Sequence, residues 1–233
     1  MATTAGHRLA VVQLGLTDQS LFNVCRFPGL QDYLTTWEAM RDFTAGRDLA
    51  TPDQVWLLEH PPVFTLGQAG RREHVLDPGA IPVIQTDRGG QVTYHGPGQL
   101  IAYLLFDLRR GRIGVKRLVQ VLEQSVIDLL AARGIPAAAR PDAPGVYVEG
   151  AKIASLGLRV RQGCSYHGVS LNVDMDLEPF RRINPCGYPG LEVTQLTALD
   201  PGAAIAEVAP ELADRLVRAL TLSAAMIPPN LDK

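Results

Sequence analysis

The sequence predicts an α+β fold, a mixed or antiparallel sheet with helices packed on it. Three observations lead there. Short extended runs flank two hairpin signals, Glu149-Gly150 and Gln162-Gly163. Two segments, 115–133 and 210–220, carry apolar residues at helical spacing. The helical segments fall between strand-like runs, so the order is neither a regular β-α alternation nor all-β.

The elements follow in chain order. Residues 8–16 read as a first strand, with Leu9, Val11, Val12 and Leu14 apolar. Leu30, Tyr33, Leu34, Trp37, Met40 and Phe43 recur at helical spacing, with Pro28-Gly29 opening that helix and Gly46 closing it. Residues 54–59 form a buried strand that His60-Pro61-Pro62 interrupts, and 63–66 resume an extended path. Residues 81–86 make another strand, and Asp87-Arg88-Gly89-Gly90 a turn. Strands at 91–94 and 99–107 flank His95-Gly96-Pro97-Gly98. The helix at 115–133 has one apolar face and ends at Gly134 and Pro136. Strands follow at 146–149, 151–160 and 166–173, then a short helix at 177–182. A last helix has Pro210 in its first turn, and the tail, 227–233, is loose.

Composition bounds the function. A chain of 233 residues with 46% hydrophobic and 20% charged residues fits a single domain over 1–233 with a full core. Net charge is −2 and there is no basic run, which argues against nucleic acid as a partner. Three cysteines, Cys25, Cys164 and Cys186, show no metal spacing and no paired framework, which points to a reducing, cytoplasmic setting and to no metal site. The start lacks a secretory pattern and no apolar run reaches the ~20 residues that span a bilayer, so no membrane partner is expected. Only three of the 22 basic residues are lysines: Lys116, Lys152 and Lys233.

Three side chains stand out as chemistry candidates. Cys186 lies in Asn-Pro-Cys-Gly-Tyr-Pro-Gly. An arbitrary cysteine is most often a small buried hydrophobe. A thiol held between Pro185 and Gly187 in a Gly/Pro-rich loop is instead placed for access, and a neighbouring cation would make it a nucleophile. Lys152 is the candidate cation; the ordinary fate of such a lysine is a strand edge pointing to water. His95 and His167 each sit in a Tyr-His-Gly tripeptide, consistent with ligand-facing loops or with satisfied structural histidines. Arg88-Gly89-Gly90 offers backbone N–H groups to an anion or carbonyl. Cys25 reads as structural and Cys164 as incidental.

At these residues a family emerges. RGGQVTYHGPGQL (88–100), GAKIASLGLRV (150–160), HGVSLNVDMDLEPF (167–180) and INPCG (183–187) resemble the octanoyltransferases of lipoate biosynthesis, also called lipoate–protein ligase B. Weaker similarity, such as HPPVFTLG (60–67), extends the match over about 30–200. The resemblance implies an α/β sandwich like the catalytic domain of biotin and lipoate protein ligases. It implies transfer of an octanoyl group from octanoyl-acyl carrier protein to a lysine of lipoyl domains, those of 2-oxoacid dehydrogenase E2 subunits and the glycine cleavage H protein. Cys186 matches the acyl-accepting cysteine and Lys152 its partner. Arg88, Gly89, Gly90, Gln91, Val92, Thr93, Tyr94 and His95, then Ser155, Leu156 and Gly157, then His167, Gly168, Val169 and Ser170, match segments that hold the acyl substrate. No cofactor is implied: the acyl group arrives on the phosphopantetheine arm of the carrier, without ATP. Arg71, Arg72, Arg159, Arg161, Arg181 and Arg182 are candidates for docking acidic carrier domains or are ordinary solvated charge. The alternatives are an ATP-dependent lipoate or biotin ligase on the same fold, and a non-catalytic acyl-binding protein. A cysteine paired with a lysine argues against both.

Overall fold

The computed structural model describes residues 12–14 and 22–225. Two sheets and three helices build it. The strands are β1 (Val12–Leu14), β2 (Phe22–Leu30), β3 (Asp53–Glu59), β4 (Val63–Leu66), β5 (Val83–Gln85), β6 (Val92–His95), β7 (Gln99–Asp107), β8 (Ala138–Ala139), β9 (Gly145–Val148), β10 (Ala151–Arg161) and β11 (Cys164–Asn172). The helices are α1 (Tyr33–Ala45), α2 (Val115–Ala131) and α3 (Ile205–Ala225). An eight-stranded sheet runs β1-β2-β3-β7-β11-β10-β9-β8, and a three-stranded sheet runs β5-β4-β6. β2 and β3 are parallel, as are β4 and β5; every other neighbouring pair is antiparallel. The predicted mixed sheet is therefore present.

Helices cover both faces of the large sheet. Along β7, Leu100, Ala102, Leu104 and Phe106 pack with α2 and α3, whose Leu118, Leu122, Val126, Leu212 and Leu216 join the same core. Ile101, Tyr103 and Leu105 alternate to the opposite face and pack with Trp56, Leu58 and Met40 beneath α1. Two covered faces explain why β7 is an almost unbroken apolar run, buried at every position from Gln99 to Phe106. The small sheet has its own core, where Phe64, Leu66, Val92 and Tyr94 meet Phe180 and Ile183.

Several boundaries differ from expectation. The predicted opening helix begins three residues later, because Asp32 caps it: its Oδ1 accepts from Thr35 N at 2.8 Å. Residues 22–30, including Pro28, Gly29 and Leu30, form β2 instead, with a register shift between Arg26 and Leu30 that accommodates the proline. Pro210 lies inside α3 rather than in its first turn. The helix starts at Ile205, and Pro210 forfeits only the one bond its N–H would have made. The short helix predicted at 177–182 is a 3-10 turn over Glu178–Arg182. Both predicted hairpins exist, with Glu149 and Gly150 at φ 50° and 88°, and Gln162 and Gly163 at φ 52° and 80°. Of the first predicted strand only 12–14 falls within the described residues, and the tail, 227–233, lies outside them. Among the described residues no helix is long and apolar enough to cross a membrane.

Candidate active site

The loop carrying Cys186 is held by its backbone. Asn184 N donates to His74 O at 2.8 Å, and Gly187 N donates to Asn184 O at 2.8 Å. Cys186 itself occupies the left-handed region, at φ 56° and ψ 16°, where a side chain is strained and persists only when its surroundings fix it. Pro185 before it and Gly187 after it, at φ 80°, fit that tight reversal.

β10 delivers Lys152 to the same point. A register shift against β9 falls between Lys152 and Ala154, so Ile153 and Ala154 both enter the core beneath α2 and α3. The outer side of Lys152 is closed by the segment 192–194: Lys152 N donates to Glu192 O at 2.8 Å and Thr194 N donates to Lys152 O at 2.9 Å. Lys152 is 2% exposed, so the edge-strand, water-facing alternative does not hold. Its Nζ donates to Cys186 Sγ at 2.8 Å and to Pro144 O at 3.0 Å. The ammonium also lies 5.4 Å from the centre of the Tyr147 ring.

Cys186 opens onto a cavity of about 360 Å³. Residues 88–93, 155–157 and 167–170, together with His95, line it. Two of the predicted site residues do not. Lys152 stands behind the sulfur rather than in the wall. Tyr94 is buried in the small-sheet core between Phe64 and Phe180, on the face of β6 opposite Thr93 and His95. Gly157 and Gly168 admit close neighbours: a Cβ on Gly168 would sit 2.0 Å from Ala102 O, and one on Gly157 would sit 3.0 Å from Arg88 Cδ.

Arg88 is buried without a carboxylate within ion-pair distance among the described residues. Its guanidinium donates to Thr65 O at 2.5 Å, Thr65 Oγ1 at 2.9 Å, Gln91 O at 2.8 Å and Gly89 O at 2.9 Å. It thus ties the 88–91 loop to β4. The expected N–H cradle in this loop is partly spent, since Gly89 N donates to Leu158 O at 2.8 Å and docks the loop on β10.

Burial favours the neutral form of the histidines in the wall. Burial pushes His95 down to about 3, and neighbouring His60 adds to that effect. His95 Nδ1 lies 2.7 Å from Gln99 Oε1 and therefore donates, because Gln99 Nε2 donates to Tyr94 O and Asn172 Oδ1. His167 is also pushed down by burial, with Asp87 opposing. It donates from Nε2 to Asp87 Oδ1 at 2.9 Å, while its buried Nδ1 has no partner.

The sequence marks Asp87 only as part of a turn. It accepts from Trp37 Nε1 at 2.8 Å, from Tyr166 Oη and from His167, three donors from α1 and β11. Burial raises this carboxyl, but those donors outweigh it and bring Asp87 to about 2. Pro144, Tyr147 and Tyr188 also belong to the site without a sequence signal of their own. Tyr188 Oη donates to Asp142 O at 2.9 Å and closes the loop after Cys186 against the loop before β9.

The arginines divide. Arg71 pairs with Glu73 and Arg182 with Glu178. An antiparallel bridge between Val75 and Ile183 sets Arg182 beside Leu76, where Leu76 N donates to Arg182 O at 2.8 Å, and leaves 71–72 at the other end of the pairing. Arg159 and Arg161 lie seven and nine residues along β10 from Lys152, about 23–30 Å away at ~3.3 Å per residue. No cluster of three or more metal-ligating side chains occurs among the described residues.

The lipoyl protein ligase A/B catalytic domain matches residues 32–217. An octanoyltransferase of Alkalilimnicola ehrlichii is 68% identical over 174 residues, 75% of this chain and 81% of that protein. One of Stutzerimonas stutzeri is 65% identical over 192 residues, 82% of this chain and 88% of that protein. Among solved structures, a bi-partite lipoate protein ligase from Thermoplasma acidophilum superposes with TM-score 0.63 at 15% identity, covering 86% of this chain and 81% of that one. A biotin protein ligase from Aquifex aeolicus, in complex with biotin and ATP, superposes with TM-score 0.57 at 14% identity, covering 87% and 72%. At these identities the two solved structures share the fold.

Proposed function

The chain belongs to the lipoyl protein ligase A/B catalytic-domain family and, within it, to the octanoyltransferases, and from that premise we propose that it moves an octanoyl group from acyl carrier protein to a lysine of lipoyl domains through a thioester on Cys186. The observation that carries the proposal is the 2.8 Å contact between Lys152 Nζ and Cys186 Sγ, with Cys186 lining a cavity of about 360 Å³.

The chemistry follows from that contact. The Cys186 thiolate attacks the carbonyl carbon of the carrier's thioester. The phosphopantetheine sulfur leaves and takes a proton from the Lys152 ammonium. One thioester replaces another of similar energy, so the step needs no ATP. Neutral Lys152 then accepts the proton that the incoming lysine amine loses as it attacks, and the Cys186 thiolate leaves with the ammonium restored beside it. The cavity between the 88–91 loop and β10 holds the acyl chain, each buried methylene contributing ~0.8 kcal/mol. Splitting the reaction at Cys186 lets two bulky carrier proteins use one site in turn. The same contact weighs against an adenylate-forming ligase and against a passive acyl-binding protein, neither of which needs a cysteine activated by a lysine.

The test is to mix the protein with octanoyl-acyl carrier protein, without ATP, and follow intact mass and peptide maps. A thioester on Cys186 that a lipoyl domain then discharges is the expected result. Acylation at Cys25 or Cys164, or labelling that waits on ATP, would overturn the proposal.

A further inference from the structure

Glu123 interrupts the apolar face of α2, with Val119 and Ile127 one turn to either side. It is 9% exposed. A carboxyl on the buried side of a helix needs a partner. Its Oε1 accepts from Gly145 N at 3.0 Å. The carbonyl of that same peptide unit, Pro144 O, accepts from Lys152 Nζ at 3.0 Å. A continuous line therefore runs from the Glu123 carboxyl through one planar peptide to the lysine and on to Cys186 Sγ. Because the peptide is rigid, fixing its N–H fixes the direction of its carbonyl.

We propose that Glu123 is a positioning residue for Lys152, acting through the single peptide group that joins Pro144 to Gly145. Packing around the peptide agrees. Gly145 has φ 147°, and a Cβ there would lie 2.4 Å from Lys152 Cε and 3.0 Å from its Nζ. The lysine stem thus lies directly against the peptide whose orientation Glu123 holds. Without the carboxyl, the buried Gly145 N–H loses its acceptor and the peptide is free to rotate. The Pro144 carbonyl then ceases to direct Nζ onto the sulfur. The role is one of geometry, so an uncharged oxygen at the same reach serves it.

The probe is iodoacetamide, so the outcome is independent of the identity of the acyl donor. The rate of Cys186 carbamidomethylation is followed by intact mass and peptide mapping in wild type, Glu123→Asp and Glu123→Gln, each also combined with Lys152→Ala. Glu123→Asp withdraws the acceptor by one methylene and should slow labelling about tenfold, within the usual range for coupled neighbours. Glu123→Gln keeps reach and an oxygen acceptor and should recover most of the rate. With Lys152→Ala present, neither change at Glu123 should slow labelling further. Glu123→Ala replaces Glu123→Asp if thermal melts show the latter to be unfolded. Labelling of Glu123→Asp at the wild-type rate, labelling of Glu123→Gln as slow as Glu123→Asp, or equal slowing with and without Lys152 would each overturn the proposal.

Discussion

The buried histidines should make this protein lose stability in mild acid. His60 Nδ1 lies 2.6 Å from Gln31 O and Nε2 lies 2.7 Å from Tyr103 Oη, so a neutral ring donates to the carbonyl and accepts from the tyrosine. Burial pushes His60 down to about 4 and His95 to about 3, from 6.5. As pH falls below 6.5, the unfolded chain takes up protons that the folded chain refuses, so stability falls with pH. Each such histidine costs about 1.4 kcal/mol per pH unit, and two cost about 2.7 kcal/mol per unit. Between pH 6.5 and 5 the loss reaches about 3 kcal/mol, a large fraction of ordinary domain stability. His167, also pushed down by burial, acts in the same direction. Asp53 and Glu123 are raised by burial and act in the opposite direction, but only as pH approaches the carboxylate range. The assay is urea unfolding followed by tryptophan fluorescence at several pH values from 7.5 to 5. The His60→Gln variant should lower stability at pH 7.5 yet show a shallower dependence on pH, with roughly a third to a half of the slope removed. A wild-type midpoint equal at pH 7.5 and pH 5, or an unchanged slope in His60→Gln, would refute the reasoning.

Three further outcomes are expected. Asp87→Ala strips the acceptor from Trp37, Tyr166 and His167 and should cost about 3 kcal/mol, seen as a fall in Tm of roughly 10 °C; an unchanged Tm would show that these donors find other partners. Gly168→Ala places a Cβ 2.0 Å from Ala102 O, whereas Gly150→Ala meets open space and only the strain of φ 88°; the first should therefore lower the urea midpoint well beyond the second, and equal midpoints would contradict the packing. Lys152→Arg keeps a cation beside the sulfur but does not readily give up a proton; rapid-quench mass spectrometry should find acyl-Cys186 accumulating without turnover, and full turnover would show that Lys152 carries no proton.

Much of the fold was legible because its signals are local. The Glu149-Gly150 and Gln162-Gly163 turns each need positive φ at two successive residues, and the glycine announces it. The apolar stripe of α2 and the nearly unbroken apolar run of β7 likewise report the surfaces they face. β2 was hidden because Pro28 and Gly29 resemble a helix entrance. The deciding residue was Asp32, whose side chain caps α1 and leaves Leu30 49% exposed at the end of a strand. β8, two residues long, exists only by pairing with β9 and carries no signal of its own.

The site was legible where chemistry marks it and obscure where support does. Cys186 and Lys152 stand out because a framed thiol and a rare lysine are unusual in themselves. Glu123, Asp87 and His60 stand out for another reason, which periodicity reveals once it is taken strictly. Each sits where apolar neighbours predict burial: Glu123 within the α2 stripe, Asp87 beside the strand before it, His60 at the end of an apolar strand. A polar group in such a place is stable only with a partner. The partner cannot be read from spacing, since Asp87 meets residues 50, 79 and 80 positions away, and Glu123 meets Gly145 across the loop that leads into β9. The anomaly can be seen in one sequence, but its resolution depends on which strands the topology brings together, and that step needed β10 and β11 in place beside the 88–91 loop.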